Sequence, residues 1–177
     1  MSAITRPAAA DPAAFVQQRH STPSSLKRPR ELIVACSPMR SNVNLSQIAR
    51  TASTCAVDRM IICGTGRLVQ KVARDGADHL LVEHRRSLRP VLLRLAAEGY
   101  QIVGLEQATH SVSLHSYPFV RRTVLVIGNE RLGLSPEVLD VVHACVEIPV
   151  WGLPHSHNAA TAATMALYEY CRQLPNG

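Results

Sequence analysis

Two apolar runs in the last third of the chain constrain its fold more than any other feature, because each ends in a polar loop that carries glycine. Val124 to Gly128 (VLVIG) runs into Asn129, Glu130, Arg131, Leu132 and Gly133. Cys145 to Val150 (CVEIPV) runs into Trp151 to Asn158 (WGLPHSHN), and that loop opens an Ala-rich segment ending in Tyr168 and Glu169. Apolar runs of this length, without polar alternation, are strands buried on both faces, the condition of a parallel sheet covered by helices. Open sheets of that kind bind ligands at the carboxyl ends of their strands, so the two loops predict a pocket.

The rest of the chain repeats the alternation. Leu32–Cys36 and Arg59–Cys63 read as strands around a helix at Leu45–Ala56. Ser87–Glu98 reads as an amphipathic helix, and Gln101–Leu105 and Thr123–Ile127 as further strands. A short helix is expected after Ser135-Pro136, and a terminal helix from about Asn158 to Gln173. The expected class is α/β, a Rossmann-like, mostly parallel sheet covered by helices. With 177 residues, 46% of them hydrophobic, the chain has material for one core. Residues 1–30 form a basic Ala/Pro/Ser-rich leader ending in Lys27, Arg28 and Arg30, expected to be loosely attached apart from a short helix near Phe15 to Arg19. Residues 31–177 are expected to form the folded domain.

Composition narrows the partners. The formal charge of +6 and a pI near 9.4 favour a polyanion, nucleic acid first among them. Apolar runs of strand length give no membrane span, and the leader lacks the apolar core of a signal peptide, so the expectation is a soluble, cytoplasmic protein. The five cysteines form no CxxC pair and read as small core residues in a reducing compartment. The histidines lack HxxxH or HExxH spacing, so no metal is expected. Gly64-Thr65-Gly66 follows a strand, but Val69 stands where a dinucleotide fingerprint needs a small residue, which argues against a nicotinamide enzyme.

Three segments are candidates for chemistry. In Asn42 to Ala52 (NVNLSQIARTA), Asn44 reads as a helix cap, and Arg50 either reaches solvent or serves a site. In the second, Gly128 lets a ligand approach the backbone while Glu130 fixes a neighbouring side chain, or the segment is an ordinary strand-to-helix turn. In the third, Ser156 reads as the cap of the last helix and Asn158 as a first-turn polar residue, or both enter the pocket.

Taken together, GNERLG, EIPVWGLPHSHN and the Ala-rich helix resemble the C-terminal motifs of the SpoU (TrmH-like) branch of the SPOUT RNA methyltransferases. Asn44, five intervening residues, then Arg50 with Thr-Ala after it, is similar to that family's first motif. The resemblance covers about residues 31–173 and implies a C-terminal deep trefoil knot, a homodimer, S-adenosylmethionine as cofactor, and 2′-O-methylation of RNA. It places Arg50, Asn44, Glu130, Ser156 and Asn158 at the reacting end. The cofactor would lie against Gly128, Asn129, Ile148, Val150, Leu153, Ser156 and Asn158. Arg50, Lys71, Arg74, Arg85, Arg86, Arg89, Arg121 and Arg122 are the candidate RNA contacts.

The stretch EGYQIVGLEQ looks like the tRNA-directed relatives that methylate guanosine 18 in the D-loop. A ribosomal RNA target, or a non-catalytic RNA-binding protein of the same fold, is the alternative. One departure stands out: His157 occupies the middle of the family's Ser-Leu-Asn signature, either as a tolerated substitution or as an imidazole near the pocket suited to proton transfer near neutral pH.

Overall fold

The computed structural model describes residues 17, 22–74, 80–153 and 155–177. Its elements are β1 (Leu32–Cys36), α1 (Asn42–Thr54), β2 (Arg59–Cys63), α2 (Gln70–Ala73), β3 (Leu81–Arg85), α3 (Arg89–Ala97), β4 (Gln101–Leu105), β5 (Val112–Ser113), β6 (Thr123–Ile127), α4 (Pro136–Leu139), β7 (Ala144–Glu147) and α5 (Ala159–Gln173). The seven strands form one sheet in the order β3-β2-β1-β6-β4-β7-β5, with every pairing parallel. The chain thus builds one side outward from β1, crosses to lay down β4 and β5, and then inserts β6 and β7 between strands already placed. The expected α/β class holds.

Alternation along the central strands feeds two cores. Leu32, Val34 and Cys36 of β1 face α1 and α5, joining Leu45, Ile48, Ala163 and Leu167. Ile33 and Ala35 face the other way, into a layer with Leu92 and Leu95 of α3 and Val138 of α4. Two strands escaped the sequence pattern for physical reasons. β3 (LVEHR) is an edge strand whose charges keep it in water, and β5 is only two residues long. β7 closes at Glu147 instead of Val150, since Ile148 to Val150 leave the ladder.

Both predicted helix caps move. Ser41, not Asn44, caps α1: its hydroxyl accepts from Asn44 N at 3.2 Å, so α1 begins earlier than expected. Asn158, not Ser156, caps α5, its Oδ1 accepting from Ala160 N at 2.9 Å and Thr161 N at 3.2 Å. Of the leader helix expected at Phe15 to Arg19, only Gln17 lies within the described residues. The leader's basic end is not loose. Arg28 Nε donates to Gly177 O at 2.8 Å, and Arg30 Nη1 donates to Leu174 O at 2.7 Å with its guanidinium over the Tyr170 ring. Both guanidiniums are engaged by the backbone that follows α5. No helix among the described residues is long and apolar enough to cross a membrane.

Candidate functional site

The carboxyl ends of β4, β6 and β7 are neighbours, and with the start of α5 they enclose a cavity of about 200 Å³. Leu105, Ile127, Val146, Ile148, Val150 and Ala162 give it an apolar wall; Glu106, Glu130, Glu147, Arg131, Ser156 and His157 bring polar groups to it. Three carboxylates against one guanidinium suit a ligand that carries positive charge.

β6 leaves the sheet through a closed loop. Asn129 and Gly133 exchange backbone hydrogen bonds, both at 2.9 Å. Asn129 Oδ1 accepts from Arg131 N at 2.9 Å and Leu132 N at 3.1 Å, while its Nδ2 donates to Pro38 O at 2.7 Å. The side chain of Asn129 therefore shapes the cavity wall and has little left to offer a ligand. A Cβ on Gly128 would lie 2.7 Å from the Gly133 carbonyl carbon, so glycine at 128 is a condition of this loop's closure.

Glu130 ties the three motifs together. Its carboxylate accepts from Arg40 N and Ser41 N, both at 3.0 Å, and from Asn44 Nδ2 at 3.1 Å. Asn44 Oδ1 in turn accepts from Asn158 Nδ2 at 3.2 Å. Moving the α1 cap to Ser41 is what frees Asn44 for this bridge. Burial alone would raise the Glu130 pKa. The N–H groups of Arg40, of Glu130 itself and of Ser41, with the Asn44 amide, outweigh it and hold the carboxyl below its ordinary value. A carboxylate so occupied is an anchor, not a proton acceptor.

The other expected site residues fall in different places. Ile148, Val150 and Ser156 line the cavity beside Gly128, Asn129 and Glu130; Leu153 is 74% exposed and outside its lining. Asn44, buried, and Asn158, exposed, are not among the residues that line the cavity. Arg50 is exposed, and its side chain makes no hydrogen bond or ion pair among the described residues. Six residues from Asn44, it is displaced about 9 Å along α1 and roughly a third of a turn around it. It shares an outward stripe with Val43, Gln47 and Thr54.

The basic residues divide by sheet edge. Arg85 and Arg86 at the end of β3, Lys71 and Arg74 in the connection after β2, and Arg89 at the start of α3 lie on the cavity's side of the parallel sheet. Arg121 and Arg122 precede β6 at the opposite edge, where both pair with Glu31. Sequence reasoning passed over Glu106 and Glu147. The available signal was an acid at the carboxyl end of an apolar parallel strand. Glu106 also braces the loop, its Oε2 accepting from Leu134 N at 2.8 Å.

The sequence profile of the SpoU rRNA methylase family matches residues 31–168, the region that holds the sheet, the loop and most of α5. The chain belongs to the SpoU methylase family. It is 32% identical over 148 residues to mouse tRNA (guanosine(18)-2′-O)-methyltransferase TARBP1, covering 80% of this chain but 9% of that protein. It is 28% identical over 151 residues to the Aquifex aeolicus tRNA (guanosine(18)-2′-O)-methyltransferase, covering 83% of this chain and 72% of that one.

The crystal structure of the A. aeolicus TrmH/SpoU tRNA modifying enzyme superposes with a TM-score of 0.78 at 28% identity, over 84% of this chain and 77% of that chain. The SpoU methyltransferase AviRb of Streptomyces viridochromogenes, solved in complex with the cofactor AdoMet, matches at 25% identity and a TM-score of 0.68, over 89% of this chain and 61% of that one. The SpoU fold carries the deep trefoil knot, as expected from the motifs. In this chain the late insertions of β6 and β7, followed by the return of α5 onto α1, make up that region.

Proposed function

We propose that this SpoU protein transfers a methyl group from S-adenosylmethionine to a ribose 2′-hydroxyl of structured RNA, with guanosine 18 of tRNA as its target. The observation that carries the reading is the Glu130–Asn44–Asn158 chain of hydrogen bonds, which joins all three motifs at the lip of one strand-end cavity. The two similar proteins named for guanosine 18 support the target.

The cavity suits the cofactor. Ile148 and Val150 offer an apolar surface to an adenine, and Glu106, Glu130 and Glu147 balance the positive charge of a sulfonium and an ammonium. When bound, S-adenosylmethionine supplies a methyl group on a good leaving group, so alignment and charge stabilisation are the protein's main tasks. Glu130, Asn44 and Asn158 fix the N-termini of α1 and α5 relative to the cavity. Arg50 holds a phosphate beside the reacting ribose and favours its developing alkoxide. A guanidinium is an awkward base, which leaves the 2′-proton to a phosphate oxygen or a second group.

The active form is a homodimer. Exposed Thr161, Met165 and Tyr168 make a stripe along α5 beside the Val43–Gln47–Arg50–Thr54 stripe of α1, and Thr51 and Thr164 bond across the two helices at 3.1 Å. A second copy seated on this face brings Arg50 to the interface instead of leaving it in solvent. Five free cysteines accord with work in the cytoplasm.

The test is transfer of labelled methyl to unmodified total tRNA and, separately, to rRNA, with the modified nucleotide mapped. Methylation of a tRNA ribose at position 18 supports the reading; transfer to rRNA alone moves the target. RNA binding without transfer or cofactor binding assigns the chain to the non-catalytic class.

His157 faces the cavity, exposed and without a hydrogen-bond partner among the described residues. The expected result for His157→Leu is a transfer rate within about threefold of the parent and an unchanged pH profile between pH 6 and 9. General acid or base catalysis contributes roughly 100-fold or more, so a larger loss with an altered acid limb would assign proton transfer to this imidazole.

A further inference from the structure

We propose that Trp151 and His115 form an open clamp for one unstacked nucleobase of the RNA substrate, an inference that rests on the methyltransferase reading. The two rings lie 6.4 Å apart between centroids and 22° from parallel. That is the wide end of the roughly 4.5–7 Å range of offset aromatic pairs, a loose stack whose two faces a planar base can part and occupy. Trp151 is 84% exposed and His115 is exposed too, so side-chain rotations can separate the rings without disturbing the core.

The clamp stands at the rim of the cavity. Trp151 follows Val150, a wall residue, and the same loop contributes Gly152 and His155 to an adjoining hollow bordered by Gln107 and Glu147. The opposite jaw is fixed to the same strand end: Leu114 N donates to Glu147 O at 2.8 Å, immediately before His115. The His115 side is therefore tied to the residue that closes β7, from which the chain runs on to Trp151. Trp151 and Leu153, 74% exposed, put two large apolar side chains on one exposed loop beside a polar pocket, which is how contact surfaces are built. Proteins that act on single nucleotides of folded RNA hold displaced bases between aromatic side chains, and the chain's net charge of +6 favours RNA over an apolar partner.

Trp151 is the only tryptophan, so its emission reports the clamp directly. The full chain is titrated with an unmodified tRNA transcript while binding is followed by filter retention, and separately with S-adenosylhomocysteine. The expected result is saturable quenching that tracks RNA binding and is absent with S-adenosylhomocysteine alone. Trp151→Ala and His115→Ala each weaken RNA binding about 10- to 100-fold, Trp151→Phe restores most of it, and the KM for RNA rises with little change in kcat. Tight RNA binding with unchanged emission overturns the clamp and leaves the methyltransferase reading intact. Quenching by S-adenosylhomocysteine alone also overturns it, assigning the rings to the adenine. A chain that binds no RNA overturns both readings.

Discussion

Replacing Arg50 by Ala is expected to lower methyl transfer by about 100- to 1000-fold, the usual effect of removing one group that stabilises a developing oxyanion. The melting temperature should stay within about 1 °C, because an exposed side chain with no partner contributes little to stability. Affinity for S-adenosylhomocysteine should also be unchanged, since Arg50 lies outside the cavity lining. This combination separates a group that acts on the RNA from one that holds the fold or the cofactor. Arg50→Lys keeps a point charge and loses the planar fork, so a loss of about tenfold or more is expected. Full activity in the Lys variant would count against bidentate phosphate positioning. Labelled-methyl transfer, a thermal melt and calorimetry with S-adenosylhomocysteine measure the three quantities.

Arg50 also shows where the sequence stops being informative. Its neighbours Ile48, Ala49 and Ala52 are all buried, and the local pattern does not say whether the Arg among them reaches solvent or a site. In one copy of the chain it reaches solvent, and the setting proposed for it requires a second molecule. The four strands β1, β2, β4 and β6 were readable to the residue, because dense Val, Ile and Leu leave a doubly covered strand as the main solution. β3 was hidden by its own solubility, since the charges that protect an edge also erase the pattern.

The knot was not legible in any periodicity. The place at which β6 and β7 enter the sheet is a relation between distant segments, and it entered only through resemblance to a family. The site was legible in part for the same reason. Gly128, Glu130, Ile148, Val150 and Ser156 sit in or next to the loops that strand ends predict. The bridge from Asn44 to Asn158 spans 114 positions and depends on which residues cap their helices, a choice that Ser41 and Asn158 settle in three dimensions. Reading Asn44 as a cap concealed its amide as a donor to Glu130.

Glu130 carries the second large effect. Glu130→Ala removes the acceptor of Arg40 N, Ser41 N and Asn44 Nδ2 together. Water reaches part of this partly exposed site, so the expected destabilisation is about 2 kcal/mol instead of the full sum for three orphaned donors. For a domain of this size that lowers the melting temperature by roughly 4–8 °C. Transfer should fall about 100-fold even at temperatures where the variant is fully folded, because Asn44 no longer holds Asn158 and the two helix starts lose their mutual position.

Acid separates the charge from the geometry. The folded-state pKa of Glu130 lies below its ordinary 4.5, so the stabilisation from its ionised form is complete above that pH and fades as pH falls through the lower folded value. Glu130→Gln has no such titration. Its melting temperature should trail the parent at pH 6 and converge on it as the pH is brought down toward 3, while other acid-sensitive pairs such as Glu169 with Arg172 weaken in both proteins. A gap that stays constant across that range would mean that the hydrogen-bonding shape of the side chain matters and its charge does not.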